Sequence, residues 1–389
     1  MAAIPVKIPF VDLAPQHEPI QAQLEEAFKA VLQRGDFVLG QGVANFEAAF
    51  SKASGAEYGV GVACGTDGIA LGLEACGIGA GDEVILPANT FVATLIGIVQ
   101  TGATPVMVDC DRDTALIDLT AAAEAVTPKT KAIVPVHLYG QMVSPQQLLN
   151  FAQTHNLIIF EDAAQAHLAK KEGYKAGSIG KGAAFSFYPS KNLGAFGDAG
   201  MLLTSDATVA AKARALRNYG ACRKYFHTEP GRNSRLDTLQ ANILNLKLPF
   251  LQQWNQARSK AGKLYDTYIK ELQLPGIVPI QNQSDTGHIY HLYVVKVTES
   301  CPSSRQQIQE SLTSQGIQTG IHYPTPCHLQ PAYEYLGYKE GDFPHAEILA
   351  TEILSLPMYP GIKDLQVQEV VETLQTILIG KPGLVTGER

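Results

Sequence analysis

The sequence predicts an α/β fold, a largely parallel buried sheet covered by helices, followed by a second and smaller domain. Short apolar bursts rich in Val, Ile and Phe recur near 58–63, 84–86, 105–108, 132–136, 157–161, 183–187 and 200–204. Most are apolar on both faces, as buried parallel strands require. Longer segments of helical periodicity lie between them, such as 65–76 and 145–155, and this alternation puts helices on both faces of one sheet. A length of 389 residues suits two domains rather than one.

Beyond Ser234 the texture changes. Residues 236–272 form one long amphipathic pattern interrupted by Pro249, where the ring kinks a helix. A strand is expected over 290–297, a helix over 303–315, a short strand over 317–321 and a last helix from Asp364 to about Ile379. The boundary is set near residue 250, giving a large domain of 1–250 and a smaller one of 251–389. The long helix bridges the two.

Composition narrows the partners. The hydrophobic fraction is 46% and the charged fraction 17%, below the roughly 25% of typical soluble proteins, so some surface is expected to be buried in an oligomer. A net charge of −7 argues against nucleic acid, since neutralising phosphates takes clustered positive charge. Cys64, Cys76, Cys110, Cys222, Cys301 and Cys327 show no CxxC spacing and read as reduced thiols of a cytoplasmic protein. The N-terminal stretch has prolines where a signal peptide needs a continuous apolar core. The nearest approach to a membrane span, 91–108, is broken by Gln100, Gly102 and Pro105 and reads as a helix then a strand.

The chemistry concentrates in SFYPSKNLGAFGDAG, residues 186–200, and in the acidic pair Glu161 and Asp162 that ends the apolar run before it. A carboxylate at the end of a buried strand, with a lone lysine in a Gly/Ser loop downstream, suits pyridoxal 5′-phosphate (PLP). That cofactor needs an amine for a Schiff base and an acid to keep its ring nitrogen protonated. Lys191 and Asp162 are the candidates. Asp162 has a second reading, as the N-cap of a following helix. The turn at Gly65 and Thr66 joins a strand to a helix, where exposed amides and a hydroxyl make a phosphate site; Thr66 as a plain N-cap is the other reading. Ser186, five residues before Lys191, can reach the same phosphate or be satisfied by backbone. Phe91 suits either stacking on a ring or the core. A dinucleotide fingerprint fails because Cys64 takes the place of its third glycine. His322, Cys327 and His328 have no second ligand cluster to complete a metal site, and no GxSxG elbow is present. The basic group Arg223, Lys224, His227, Arg232 and Arg235 is a solvated surface or a grip on a diphosphate.

The motifs GTD, PANTF, VHLYG, EDAAQAH, SFYPSKNLGAFGDAG, GRNSRLDTLQ, HYP and LPMYP, in this order from about Pro9 to Pro360, resemble the DegT/StrS family of PLP-dependent nucleotide-sugar aminotransferases. The resemblance implies the type I aminotransferase fold: a seven-stranded, mostly parallel sheet in the large domain, a smaller α+β C-terminal domain, and a homodimer with shared active sites. It implies that Lys191 forms the Schiff base, that Asp162 contacts the pyridine nitrogen and that Gln165 lies near the ring's 3′-oxygen. Gly65, Thr66 and Ser186 hold the phosphate by the same resemblance, joined by Asn233 from the partner subunit. Arg235, His322 and Tyr323 match positions lining the nucleotide-sugar pocket, also from across the dimer. Leu168, Ala199 and Gly68 depart from the family's usual residues, Leu168 standing where glycine is frequent. None of the three removes a reacting group. The implied reaction passes an amino group from L-glutamate to a nucleotide-linked keto-sugar. The chain looks most similar to the enzymes that aminate C-3 of dTDP-3-keto-6-deoxyhexoses. The alternatives are a C-4 or UDP-sugar aminotransferase of the family, or a non-catalytic regulatory homologue.

Overall fold

The computed structural model describes residues 5–379. Seven strands form the main sheet: β1 (Tyr58–Val62), β2 (Glu83–Pro87), β3 (Thr104–Val108), β4 (Thr130–Ile133), β5 (Ile158–Asp162), β6 (Gly182–Ser186) and β7 (Gly200–Thr204). Their order is β1-β7-β6-β5-β4-β2-β3. Every neighbouring pair is parallel except those of β7, which runs antiparallel to β1 and to β6. Each apolar burst is therefore a strand, and the sheet is mostly parallel as expected.

Helices α1 (Gly65–Ala75) and α2 (Val92–Val99) follow β1 and β2. Packing of α1 on the sheet is close enough to require glycine: a Cβ on Gly72 would lie 2.2 Å from Cζ of Phe160 in β5. Behind β6, Phe50 stacks edge-on against Phe185 and Phe187, each ring centroid 5.0 Å away.

The long amphipathic pattern breaks where Pro249 stands. Helix α3 (Thr238–Lys247) ends, a 3-10 turn covers Leu248–Phe250, and α4 (Leu251–Glu271) resumes. Beyond it, β8 (Ile277–Pro279), β9 (Tyr293–Val297) and β10 (Ile353–Leu356) make a small antiparallel sheet. Its core combines Val295 and Leu354 with Tyr265 of α4 and with Val370 and Leu374 of α5 (Asp364–Ile379). The expected strand over 317–321 is absent. Ile317 bridges only Ile8, and Gly320 only Ser355, so the segment crosses between two elements instead of running along either. The strand expected from 290 starts at Tyr293, because Tyr290 is left-handed at φ 44° and cannot be part of a pleat. No helix of the described residues is long and apolar enough to cross a membrane.

One polar cluster fixes the middle of the sheet. Glu161 in β5 is fully buried. It accepts hydrogen bonds from His137 Nε2 (2.9 Å) and from the amides of Gly177 (2.8 Å), Ile179 (2.8 Å) and Gly180 (3.1 Å). The ring's Nδ1 in turn accepts from Val143 N at 3.2 Å. The carboxylate thus holds the turn that leads into β6. Glu161→Ala strips four donors of their acceptor, three of them buried, and unpaired buried donors are costly. A loss of about 3 kcal/mol or more is expected, read as a lower urea midpoint by circular dichroism; an unshifted midpoint would refute the role.

Candidate active site

A chamber of about 320 Å³ opens beyond the carboxyl ends of β5 and β6, where ligands of open α/β sheets bind. Asp162, the last residue of β5, points into it, the pleat having sent Glu161 to the other face. Its Oδ2 accepts from Thr94 Oγ1 at 2.7 Å and its Oδ1 from Ala164 N at 3.1 Å. No helix follows, so Asp162 is not an N-cap. Burial raises its carboxyl above the ordinary value, against the pull of Thr94, Ala164 and Lys191.

Lys191 lies in the loop after β6. The loop is built tightly: Lys191 N donates to Tyr188 O (2.8 Å), Ala195 N to Phe187 O (2.8 Å), and Phe196 N to Gln240 Oε1 of α3 (2.7 Å). A Cβ on Gly194 would sit 2.1 Å from Pro189 O, so only glycine fits. Desolvation lowers the Lys191 amine to about 8, with Asp162 opposing. The amine has no hydrogen-bond partner among the described residues, yet it lines the chamber.

Across the chamber stands the N-terminus of α1. Its N-cap is Cys64, extended and without a side-chain cap; Thr66 lies inside the helix, so the N-cap reading of Thr66 fails. The first amides of a helix have no intrahelical acceptor and favour an anion. A Cβ on Gly65 would lie 2.8 Å from Cβ of Ser186, so the helix end and the end of β6 form one cradle with two hydroxyls, Thr66 and Ser186. Uncapped amides, paired hydroxyls, an unpartnered lysine and a buried carboxylate are a donor set that fits PLP.

Gln165 is fixed between Tyr139 N (2.6 Å) and the Tyr323 hydroxyl (3.1 Å). Phe91 is 51% exposed, tilted against Tyr323 with centroids 5.1 Å apart. It is a chamber wall and not core. His322, its Nδ1 2.9 Å from Ser355 Oγ, is lowered to about 4 by burial, with Lys191 adding.

The resemblance implied that His322 and Tyr323 arrive from a partner subunit. The structure corrects this, since both line the chamber of the chain that carries Lys191. Asn233 and Arg235 do not line it. Asn233 is exposed, and Arg235 donates to Asn218 Oδ1 at 3.0 Å, its guanidinium over the Tyr219 ring. Among the described residues no three His, Cys, Asp or Glu side chains gather as a metal site. His328 meets Glu347 at 2.9 Å, and Cys327 meets Thr90 O.

Several groups that brace the chamber from behind escaped sequence reading. Thr94 braces Asp162, and a buried hydroxyl inside the apolar helix 92–99 was its one visible sign. Ser234 links Asp67 (2.6 Å) and Ala63 N (3.2 Å) behind the cradle. His167, in the same loop as Leu168 at φ 65°, bonds Ser186 O at 2.8 Å.

A sequence profile of the DegT/DnrJ/EryC1/StrS aminotransferase family matches residues 18–375. The chain belongs to that family. It is a PLP-dependent aminotransferase, and solved relatives hold the cofactor in both PLP and PMP forms. It is 42% identical to a pleiotropic regulatory protein of Geobacillus stearothermophilus, covering 95% of this chain and 98% of the relative. It is 40% identical to the dTDP-3-amino-3,4,6-trideoxy-alpha-D-glucose transaminase of Streptomyces venezuelae, covering 95% and 96%. The crystal structure of S. venezuelae DesV in complex with a ketimine intermediate superposes with a TM-score of 0.91 at 40% identity, covering 96% and 98%.

The lowered amine has a thermodynamic consequence in the cofactor-free aminotransferase. The unfolded chain keeps the Lys191 proton to about 10.5, the folded chain only to about 8. Stability therefore rises between those pH values, because the unfolded state there binds the extra proton. Below about pH 8 the deficit is complete. Lys191→Met is expected to stabilise the cofactor-free protein at pH 7 by about 3 kcal/mol and by much less at pH 10.5. Melting temperatures at both pH values check this; equal gains would refute it.

Proposed function

We propose that this aminotransferase moves an amino group from L-glutamate to C-3 of a dTDP-linked 3-keto-6-deoxyhexose, as a cytoplasmic homodimer. The observation that carries the reading is Lys191 facing Asp162 in one chamber beside the uncapped end of α1. Bound there, PLP supplies a ring that draws off the negative charge left when a substrate carbon loses its proton. The Lys191 amine, lowered to about 8, exists partly neutral at pH 7 and takes and returns that proton. Asp162 keeps a negative charge against the ring nitrogen, and Thr94 and Ala164 hold its two oxygens in place. Gly65, Thr66 and Ser186 grip the phosphate with Asn233 of a second copy. Phe91 and Gln165 bound the ring's place. His322 and Tyr323 receive the nucleotide-sugar together with Arg235 from a second copy.

Names borne by relatives at about this identity, the S. venezuelae transaminase among them, support the sugar. Exposed Phe28, Leu32, Phe37 and Phe196 support a partner surface, and six unpaired cysteines support a reducing compartment. The regulatory name of the G. stearothermophilus relative favours a binding role, but a binder has no need of Lys191. The direct test is to incubate the yellow holoenzyme with L-glutamate and a panel of nucleotide-linked keto-sugars, following the amino sugar by mass spectrometry. A UDP-linked or C-4 preference would overturn the sugar, and no turnover with any acceptor would favour the regulatory reading.

Asp162→Asn is expected to lower kcat by about 10²–10⁴-fold while weakening cofactor binding far less, as absorbance and rate measurements will read. The shared site has its own test. Lys191→Ala and the double variant Asn233→Ala, Arg235→Ala are each expected to be almost inactive. Refolded together in equal amounts, they should regain about a quarter of wild-type activity, because half the dimers keep one intact site. Mixed dimers without recovered activity would rule the shared site out.

A further inference from the structure

Next to Lys191, a relay of buried side chains admits only one orientation for each member. Asn255 Nδ2 donates to the His167 carbonyl at 2.9 Å. A carbonyl can only accept, so Asn255 turns its Oδ1 toward Asn192. Asn192 Nδ2 donates to that oxygen at 2.8 Å and to the Ile289 carbonyl at 3.1 Å. Its Oδ1 is left facing His291 Nδ1 at 3.2 Å, and that nitrogen must carry the hydrogen. Burial holds the His291 ring well below its ordinary value, and the positive charges of Lys191 and Arg258 add to this. A neutral ring protonated on Nδ1 has a bare lone pair on Nε2.

Nε2 has no hydrogen-bond partner among the described residues, but it is not sealed in the protein either. His291 lines the Lys191 chamber. Its backbone is pinned as firmly as its ring. Buried Arg258 donates to the carbonyls of Tyr290, His291 and Met358, and a Cβ on Gly140 would come within 2.9 Å of His291 N. The other titratable groups on the chamber are Asp162, engaged by Thr94 and Ala164; His322, engaged by Ser355; Tyr323, engaged by Gln165; and Asp198, Tyr188 and Cys64.

We propose that His291 is a positioning residue for Lys191: a rotation of the lysine side chain within the chamber that both residues line brings its amine to the Nε2 lone pair, which accepts a hydrogen bond from it. The inference rests on Lys191 being the reacting amine. The relay then links that amine to α4: Asn192, the residue after Lys191, sets the tautomer, and Asn255 sets Asn192. No group in the relay has to change charge for the amine to be held. An amine parked on Nε2 stays at the chamber wall, ready to return a proton to the substrate carbon.

Two variants separate this role from plain packing. His291→Asn keeps a donor at the place of Nδ1 but removes the acceptor, whereas His291→Gln brings an amide oxygen to the place of Nε2. The first readout is competitive acetylation of the cofactor-free full-length chain across pH, scored on the Lys191 peptide by mass spectrometry. In His291→Asn the amine should lose its proton at a lower pH than in the wild type, since an ammonium that loses its acceptor is disfavoured, and His291→Gln should restore the wild-type titration. The second readout is the holoenzyme, where His291→Asn should lower kcat about 10- to 100-fold with KM for L-glutamate unchanged, and His291→Gln should recover most of it. Equal losses in both variants with an unmoved Lys191 titration would overturn the proposal. A protein inert toward every keto-sugar that still shows the titration shift would refute the proposed function and leave the positioning of Lys191 standing.

Discussion

Neighbouring residues of a strand must face opposite sides of a sheet, and at the end of β5 both neighbours are carboxylates. Glu161 turns to the side where it meets His137 and the amides of Gly177, Ile179 and Gly180. Asp162 turns to the chamber, where the protein gives it only Thr94 and Ala164. The first is a fully provided anion that fixes how the chain enters β6, and so where Ser186 and the Lys191 loop fall. The second is under-provided, and burial raises its carboxyl for that reason. One carboxylate builds and the other is left open to the chamber, and the difference is the number of donors each one finds.

Burial pushes the other chamber groups toward neutrality as well. Desolvation lowers Lys191, His291 and His322 and raises Tyr323. A pocket whose own groups are pushed toward their neutral forms gains from charges that enter and pair with them. An anion at the cradle of α1 and a protonated ring nitrogen beside Asp162 would supply the partners that the folded chain lacks. Mutual neutralisation of this kind favours the loaded form over the empty one.

The seven strands were legible because most are apolar on both faces, a signature of strands buried in the middle of a sheet. Asp162 and Lys191 stood out because a charge in such surroundings needs a reason. What stayed hidden was of two kinds. Segment 317–321 has strand-like residues, but Ile8 and Ser355, far away in sequence, claim one residue each. Tyr290 adopts a left-handed backbone that no local pattern announces. The relay through Asn255, Asn192 and His291 joins three loops and a helix by amide orientation alone, which leaves no periodicity to read. That His322 and Tyr323 line the chamber of their own chain depends on how the chain after β9 returns to the large sheet, and motif order is silent on that.

Leu168 holds a left-handed backbone, φ 65°, that an L-residue adopts at a cost of about 1–2 kcal/mol. Its neighbours hold the turn: Ala169 N bonds Ala166 O, and Asn255 takes the His167 carbonyl. The side chain packs half-buried on the core and reaches a cleft shared with Lys170, Lys260 and Lys263. His167 meanwhile faces inward and holds Ser186. A glycine at 168 would relax the backbone and forfeit the packing, two effects of opposite sign. Position 168 therefore shapes the outer cleft, while His167, one residue away, keeps its hold on Ser186 at the end of β6.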